Sequence, residues 1–478
     1  MSRKVREKKE LTFFWAIVPV FAMILFLGVG YIALNLRAEP MILLSAATAS
    51  IIAYFHGYSW GDILDAIVEK LAKAMPAILI LITVGFLIGA WMIGGTIPMM
   101  VYYGLKYIDP SYFYVAAFLL TAITATCTGT SWGSAGTIGV ALMGVAVGLN
   151  LSLPVAAGAI LSGAYFGDKC SPLSDSTNLA SIAAGSPLYA HIAHLFWTTG
   201  PGFIICCIAY TFIGLNQHIG HIDTPERIVE ITSSLEAVYD FNLLVLLPPV
   251  VVLAGSILRQ PTIPVLFLAS VIAMFCGSVF QGFTLSQICE TVIGGFSLSM
   301  IPNQEAVAAF PPDVSRLLER GGMVSMMGTL VICFCAFALA GSMSVANSLK
   351  IIISVFLKGV HSVFRLIATT LVSTILICGI TSNGQLSVLL PGEMFKETYK
   401  KFGLAPTNLS RTAEDAGTVV EPILPWTAAG VYMATMLGVP TLEYLPWAFL
   451  NYTGMIFALI WAATGIGITR LPKTAEDK

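Results

Sequence analysis

Residues 167–178 read GDKCSPLSDSTN, and they lie between the apolar stretches LPVAAGAILSGAYF (153–166) and LASIAAG (179–185). Three charges, Asp168, Lys169 and Asp175, fall in this short stretch with Pro172 and three serines. A charge inside a bilayer costs about 2.5–3.5 kcal/mol on insertion scales. Proline removes a backbone donor and breaks a helix. Non-helical backbone at membrane depth survives only where it is packed in protein or lines a watery cavity. The freed carbonyls, with the Asp168 and Asp175 carboxylates and hydroxyls such as that of Ser171, are the oxygen ligands a hard cation takes. The alternative is a polar turn outside the membrane. This stretch predicts a helix broken at Pro172.

The surrounding chain supports a membrane setting. Of 478 residues, 57% are hydrophobic and 10% charged, with a mean hydropathy of +0.85, against about 25% charged in soluble proteins. Runs at 13–36, 76–97, 188–213 and 445–468 approach or exceed the roughly 20 residues that cross a bilayer. The expected fold is an all-α polytopic membrane protein whose main partner is the lipid bilayer. Net charge is −2, so no basic patch points to nucleic acid. The basic N-terminus precedes an apolar run too long for a signal peptide, without a small-residue cleavage site, and it reads as a first span. Nine cysteines without CxxC spacing read as packing residues.

Shifted by 251 residues, 111–133 lies on 362–384 with eight matches, among them Thr130/Thr381, Ser131/Ser382 and Gly133/Gly384. Further on, Pro172 meets Pro422 at a shift of 250. A duplicated half follows. Residues 1–10 carry a net +3 (Arg3, Lys4, Arg6, Lys8 and Lys9 against Glu7 and Glu10), which places the N-terminus in the cytoplasm. Residues 350–365 carry +3, whereas their counterparts 99–114 carry zero. Opposite bias in corresponding loops predicts inverted repeats, an arrangement common in secondary transporters. The acidic loop 217–240 falls outside.

About ten spans and two re-entrant hairpins result, each repeat with one hairpin and one broken helix. Expected spans are 13–36, 40–55, 75–97, 153–186, 188–215, 241–257, 262–281, 322–346, 405–437 and 443–468, with hairpins at 111–149 and 362–396. Residues 62–73 read as a separate interfacial amphipathic helix. By unit, the chain divides into N-terminal spans and interfacial helix (1–74), a first repeat (75–216), a linking loop and connecting spans (217–321), a second repeat (322–468) and a cytoplasmic tail (469–478).

The second break is EDAGTVVEPILPW (414–426), with Glu414, Asp415 and Glu421 beside Pro422 and Pro425. Glu421, between Val419-Val420 and an apolar run, is the acid expected deepest, where a protonatable carboxylate could exchange a proton for a cation. Glu414 and Asp415 read equally as a solvated helix cap. The tips TGTSWG (128–133) and TSNGQ (381–385) are rich in glycine and hydroxyls, so their backbone groups can hold an ion or a substrate carboxylate. They add Thr130, Ser131, Ser382 and Asn383 to the candidates. His191 and His194, three apart on one helical face, could shuttle protons or serve only packing.

Together the runs GTIPMMVYYGL (95–105), FGDKCSPLSDSTNLA (166–180), HIAHLFWTTGP (191–201), RGGMVSMM (320–327) and GLAPTNLSRTAEDAGTVVEPILPW (403–426) resemble the NhaC-type sodium/proton antiporter family, which includes a malate/lactate exchanger. The resemblance implies inverted repeats with paired hairpins and an elevator movement of the site. It points to Asp168, Lys169, Ser171, Pro172, Asp175, Thr177, His191, His194, Asp415, Gly417, Pro422, Pro425 and Trp426. The family pattern has an aspartate where this chain has Asn383, T-S-P where it has Val420-Glu421-Pro422, and polar residues where Thr427-Ala428-Ala429 follow Trp426. One acid is thus lost at the tip and one gained at the break.

The expectation is a bacterial inner-membrane transporter with both termini cytoplasmic, a homodimer, exchanging sodium for protons with no cofactor beyond those ions. Asp168, Ser131 and Ser171 would hold sodium with Asp175, while Glu421 and Asp415, with His191 and His194, would carry protons. The alternative is coupling to a small organic solute such as a carboxylate or amino acid. An ion channel fits less well, because broken helices in a repeat favour alternating access. No HExxH, GxSxG or nucleotide loop points to an enzyme.

Overall fold

The computed structural model describes residues 8–216, 224–308, 310, 315 and 318–471. The charges at 3–7 and Asp223, used above for orientation, and the tail beyond 471 lie outside the described residues. The described chain is helical, with nine helices long and apolar enough to cross a membrane, or up to eleven counting two bent pairs. Their exposed faces carry large apolar side chains, such as Ile204, Ile208 and Phe212 on one long helix. Apolar surface of that kind is stable against lipid and not against water.

Three helices lead in: α1 (Phe13–Ala33), α2 (Ala38–Phe55) and α3 (Trp60–Ile93). The separate interfacial helix expected at 62–73 is instead the first part of α3. Ser59 and Asp62 form a reciprocal capping box, and nothing before Pro76 interrupts helix propagation. At 34 residues and 1.5 Å per residue, α3 is about 51 Å long, well beyond the roughly 30 Å hydrocarbon layer. After Gly95, in the left-handed conformation, comes α4 (Thr96–Tyr107).

The first tip-and-break unit follows: α5 (Phe113–Thr128), α6 (Ser131–Gly148), α7 (Leu153–Cys170) and α8 (Asp175–Ala184). Then α9 (Leu188–Asn216) crosses back. Connecting helices are α10 (Thr224–Val238), α11 (Leu247–Ile257), α12 (Thr262–Val279) and α13 (Leu285–Gly294). The span expected at 241–257 is part of a bent pair, with Leu243–Ile257 turned 103° from Ile228–Val238. Packed on α2 and α3 is α14 (Met327–Ser344), and α15 (Ser348–Lys358) precedes the second unit. That unit is α16 (Val363–Thr381), α17 (Gly384–Lys401), α18 (Pro406–Ala416) and α19 (Ala428–Leu437), closed by α20 (Leu450–Thr464).

The two units keep a constant spacing of 253 residues. Ser131 and Gly384 open the return helices, which end at Gly148 and Lys401. Leu153 and Pro406 open the broken helices. Ser174 and Thr427 are N-caps of α8 and α19, whose left-handed closing residues are Gly185 and Gly438. At the tips, left-handed Gly129 corresponds to left-handed Ser382. The 251-residue register read from the sequence is therefore two residues off, and Pro172 corresponds to Pro425, not Pro422. Serine, threonine and glycine matches in an apolar helix end are degenerate, whereas caps and left-handed residues fix the geometry of the turn.

Close approach holds α5 against α7. A Cβ on Gly163 would lie 2.2 Å from the Phe118 carbonyl oxygen, and one on Gly167 would lie 2.3 Å from that of Ala122. This small-xxx-small pair lets the two backbones touch, the usual device for helix packing without a hydrophobic driving force. It also sets Asp168, the next residue, beside the first tip.

Candidate functional site

Both spans expected to be broken are broken. Helix α7 ends at Cys170 and α8 starts at Asp175, while α18 ends at Ala416 and α19 starts at Ala428, with a 3₁₀ turn at Glu421–Ile423 between. The two breaks and the two hairpin tips converge on one cavity of about 550 Å³. Four helix N-termini, opened by Ser131, Asp175, Gly384 and Ala428, all line it. Such ends are electropositive. The three carboxylates that face the cavity, Asp168, Asp175 and Glu421, offset that field.

In each half, the carboxylate of the break binds the tip of its own hairpin. Ser131 Oγ donates to Asp168 Oδ2 at 2.7 Å. The Gly384 amide donates to Glu421 Oε2 at 3.0 Å. These are equivalent positions at the 253-residue spacing, and both bonds are charge-assisted when the acid is ionised. The N-caps differ: Thr130 Oγ1 accepts from the Gly133 amide at 3.2 Å, and Asn383 Oδ1 from the Leu386 amide at 2.8 Å. Asn383 and Glu421 thus share one cavity.

Of the candidates, Thr130, Ser131, Asp168, Pro172, Asp175, Ser382, Asn383 and Glu421 line the cavity. The others are placed behind it. Ser171 Oγ donates to the Thr126 carbonyl at 2.8 Å, tying the first break to α5, and Ser171 is not among the residues that line the cavity. Thr177 Oγ1 donates to the Lys169 carbonyl at 3.1 Å and to Glu414 Oε1 at 3.1 Å. Asp415, fully buried, pairs with Lys169 and accepts from Thr198 Oγ1 at 2.9 Å. Lys169 therefore finds its partner in the opposite half, not in a neighbouring aspartate. Pro422 offers its carbonyl to Tyr444 Oη at 2.6 Å, and Trp426 Nε1 donates to the Gly379 carbonyl at 3.0 Å. His194 Nε2 lies 3.0 Å from Thr469 Oγ1.

Glu414 overturns the solvated-cap reading. It is wholly buried, with Oε2 2.6 Å from His191 Nε2 and Oε1 within reach of Ser176 and Thr177. Local sequence gives no sign of this, because the partner is 223 residues away. Arg411, also fully buried, donates to the Gly467 carbonyl at 2.8 Å. Two cavity residues the sequence reading passes over, Tyr165 and Thr418, are equivalent at the 253-residue spacing, so the correct register would have found them. Trp132 stacks on Tyr432 with ring centroids 4.6 Å apart and accepts its hydroxyl at the backbone carbonyl at 2.8 Å, locking the first tip to the second half's broken helix. Arg259, from the 258–261 turn between α11 and α12, lines the cavity as well.

Residues 163–466 match the model of the Na⁺/H⁺ antiporter family. An uncharacterized Na⁺/H⁺ antiporter of Haemophilus influenzae is 54% identical over 96% of this chain and 97% of its own. The Na⁺/H⁺ antiporter NhaC of Alkalihalophilus pseudofirmus is 34% identical over 93% and 94%. The malate-2H⁺/Na⁺-lactate antiporter of Bacillus subtilis is 34% identical over 93% and 95%. With a helical repeat whose two tips and two breaks meet at one acid-lined cavity, this chain belongs to the Na⁺/H⁺ antiporter family.

Proposed function

We propose that the protein is a secondary transporter of the bacterial inner membrane that exchanges sodium for protons at this cavity. The observation that carries the reading is the paired geometry: each half brings a carboxylate to the N-terminus of its own hairpin's return helix. Sodium is a hard cation served by carboxylate, hydroxyl and carbonyl oxygens. Asp168, Ser131 and Asp175 offer such oxygens on one wall, and Ser382, Asn383 and Glu421 on the other. A proton on Asp168 or Glu421 removes the charge that attracts sodium, so the two ions compete for one site and leave it in turn. Lys169–Asp415 joins the broken helices of the two halves behind the cavity, and Glu414–His191 joins α18 to α9; we assign His191, His194 and Asp415 to structural support.

Alternating access follows if the two repeats are inverted and enter from opposite faces. The repeats supply the polar wall of the cavity, while α3 and α14 supply an apolar wall of Ile78, Leu81 and Phe337. A polar body sliding along an apolar one is the arrangement an elevator needs. Within the units 75–216 and 322–468, the helices from α5 and from α16 onward would carry the site along α3 and α14, with 1–74 and 217–321 completing the frame of a homodimer and both termini cytoplasmic. Proteoliposomes with a trapped pH-sensitive dye test the reading: an imposed sodium gradient should drive proton movement of opposite sign. Sodium pulses that leave internal pH unchanged would end it. The cavity volume favours a second reading, in which an organic solute travels on the same gradient.

A further inference from the structure

The cavity is larger than its ions need. Its 550 Å³ falls within the roughly 300–1,000 Å³ of small-molecule sites, whereas one water occupies about 30 Å³. Its charges are also sorted in space. Asp168, Asp175 and Glu421 come from the broken helices of the repeats, and Arg259 comes from the connecting segment outside them. Arg259 holds a left-handed backbone with φ of 55°, and its amide closes a turn on the Ser256 carbonyl at 2.9 Å. A non-glycine residue held there is uncommon. Among the described residues, none of the ion pairs within 4.0 Å includes Arg259, although three carboxylates line the same cavity. Arg259 is exposed, and the carboxylates stand on other segments of the same lining, so opposite charges border one space.

We infer that this space takes a zwitterionic solute of the α-amino-acid class, its carboxylate held by Arg259 and its ammonium by the carboxylates of the broken helices. The inference rests on the cavity being the transport site, and it adds a substrate class and a specificity residue to that reading. A guanidinium matches a carboxylate with two parallel hydrogen bonds. Three acids against one arginine leave the side chains of the lining at net −2, and four helix N-termini of about +0.5 each offset it, which favours a solute that brings a positive group with its carboxylate over one of single charge. Trp132, Tyr165 and Phe337 provide apolar surface for the rest of the molecule. Because Arg259 and the acids sit on different segments, a bound zwitterion would bridge them.

The test uses the purified full chain with the twenty common L-amino acids, measuring thermal stabilisation in detergent and counterflow in proteoliposomes. For the amino acids that bind best, the decarboxylated amine and the acid lacking the amino group are compared at fixed sodium. The expected result is at least tenfold tighter binding of the amino acid than of either analogue. Arg259→Gln should bring the amino acid down to the level of its amine, and Arg259→Lys should restore part of the difference. Sodium-driven proton movement without binding of any of the twenty overturns the inference alone. So does tighter binding of a free acid or an amine, or a preference unchanged in Arg259→Gln. Amino-acid binding without sodium-driven proton movement would instead overturn the sodium/proton reading.

Discussion

Set side by side at their 253-residue spacing, the two half-sites share the positions of their tips and N-caps and differ in the side chains placed there. Left-handed Gly129 stands opposite left-handed Ser382, Asp168 opposite Glu421, Lys169 opposite Pro422, and Asp175 opposite Ala428. The first half brings two carboxylates to the cavity and sends a lysine across to Asp415. The second brings one carboxylate on a longer side chain and caps its tip with an amide. Turn geometry is thus repeated while the charge is not. If the halves were chemically equivalent, removing either carboxylate would have the same effect. The asymmetry predicts otherwise.

Asp168→Asn should have the largest effect, abolishing sodium-dependent exchange in proteoliposomes while expression and thermal stability stay near wild type. The amide can still accept from Ser131, and Lys169 keeps its own partner in Asp415. Exchange with an unchanged apparent sodium affinity would remove Asp168 from the site and leave the second half as the sole cation binder.

Next comes Glu421→Gln. The wild-type rate should fall on acidification as protons occupy the carboxylates, because a neutral acid no longer attracts sodium. Glutamine mimics the protonated state at every pH, so exchange should stop or lose its pH dependence, measured from about pH 5.5 to about pH 9, a window that starts above the reference carboxylate values. Superimposable profiles would show that Glu421 does not titrate during the cycle. Asn383→Asp combined with Glu421→Ser then moves the acid to the tip. Aspartate can keep the cap on the Leu386 amide, whereas serine is too short to reach the Gly384 amide in place of Glu421. Recovery of exchange relative to Glu421→Ser alone, with altered solute choice, is the expected outcome. No recovery would mean that the carboxylate must sit on the break.

How much of this was legible follows from where the signals lie. The two breaks could be read because charge and proline inside apolar runs are locally conspicuous, as at Asp168-Lys169 and Pro172. The hairpins could be read from their glycine- and hydroxyl-rich tips. The register could not, because it depends on which residue turns left-handed, and Ser382 gives no compositional hint that it takes the place of Gly129. Burial of Glu414, Asp415 and Arg411 was also out of reach. In a polar helix such as α18, tertiary partners decide which acids face water, and here they are His191, Lys169 and the Gly467 carbonyl. Helix α3 was misdivided because amphipathic and apolar stretches both propagate a helix and no cap stands between them.

The tips themselves allow a finer comparison, read in stability and not transport. A Cβ on Gly129 would sit 2.7 Å from the Leu173 carbonyl carbon, and the left-handed backbone adds about 1–2 kcal/mol for a non-glycine residue. Gly129→Ala should therefore lower stability by about 2–4 kcal/mol, a loss visible as a drop in the thermal midpoint. Anything under about 0.5 kcal/mol, the range of changes remote from such features, would mean that the tip relaxes freely.

Ser382 should give the smallest change, and its sign is the informative part. Its left-handed backbone is strained, yet its Oγ accepts from the buried Ala428 amide at 2.6 Å, linking the second tip to the start of α19. Ser382→Ala keeps the strain and leaves that amide unpaired, at about 1–3 kcal/mol for a buried donor. Ser382→Gly also loses the bond but relieves the backbone, offset by about 0.5–1 kcal/mol of added chain entropy. The thermal midpoints should rank wild type, then Ser382→Gly, then Ser382→Ala, with the glycine variant within about 1 kcal/mol of wild type. A glycine variant more stable than wild type would show that strain outweighs the bond, and that serine stays at the second tip for what its hydroxyl does in the cavity.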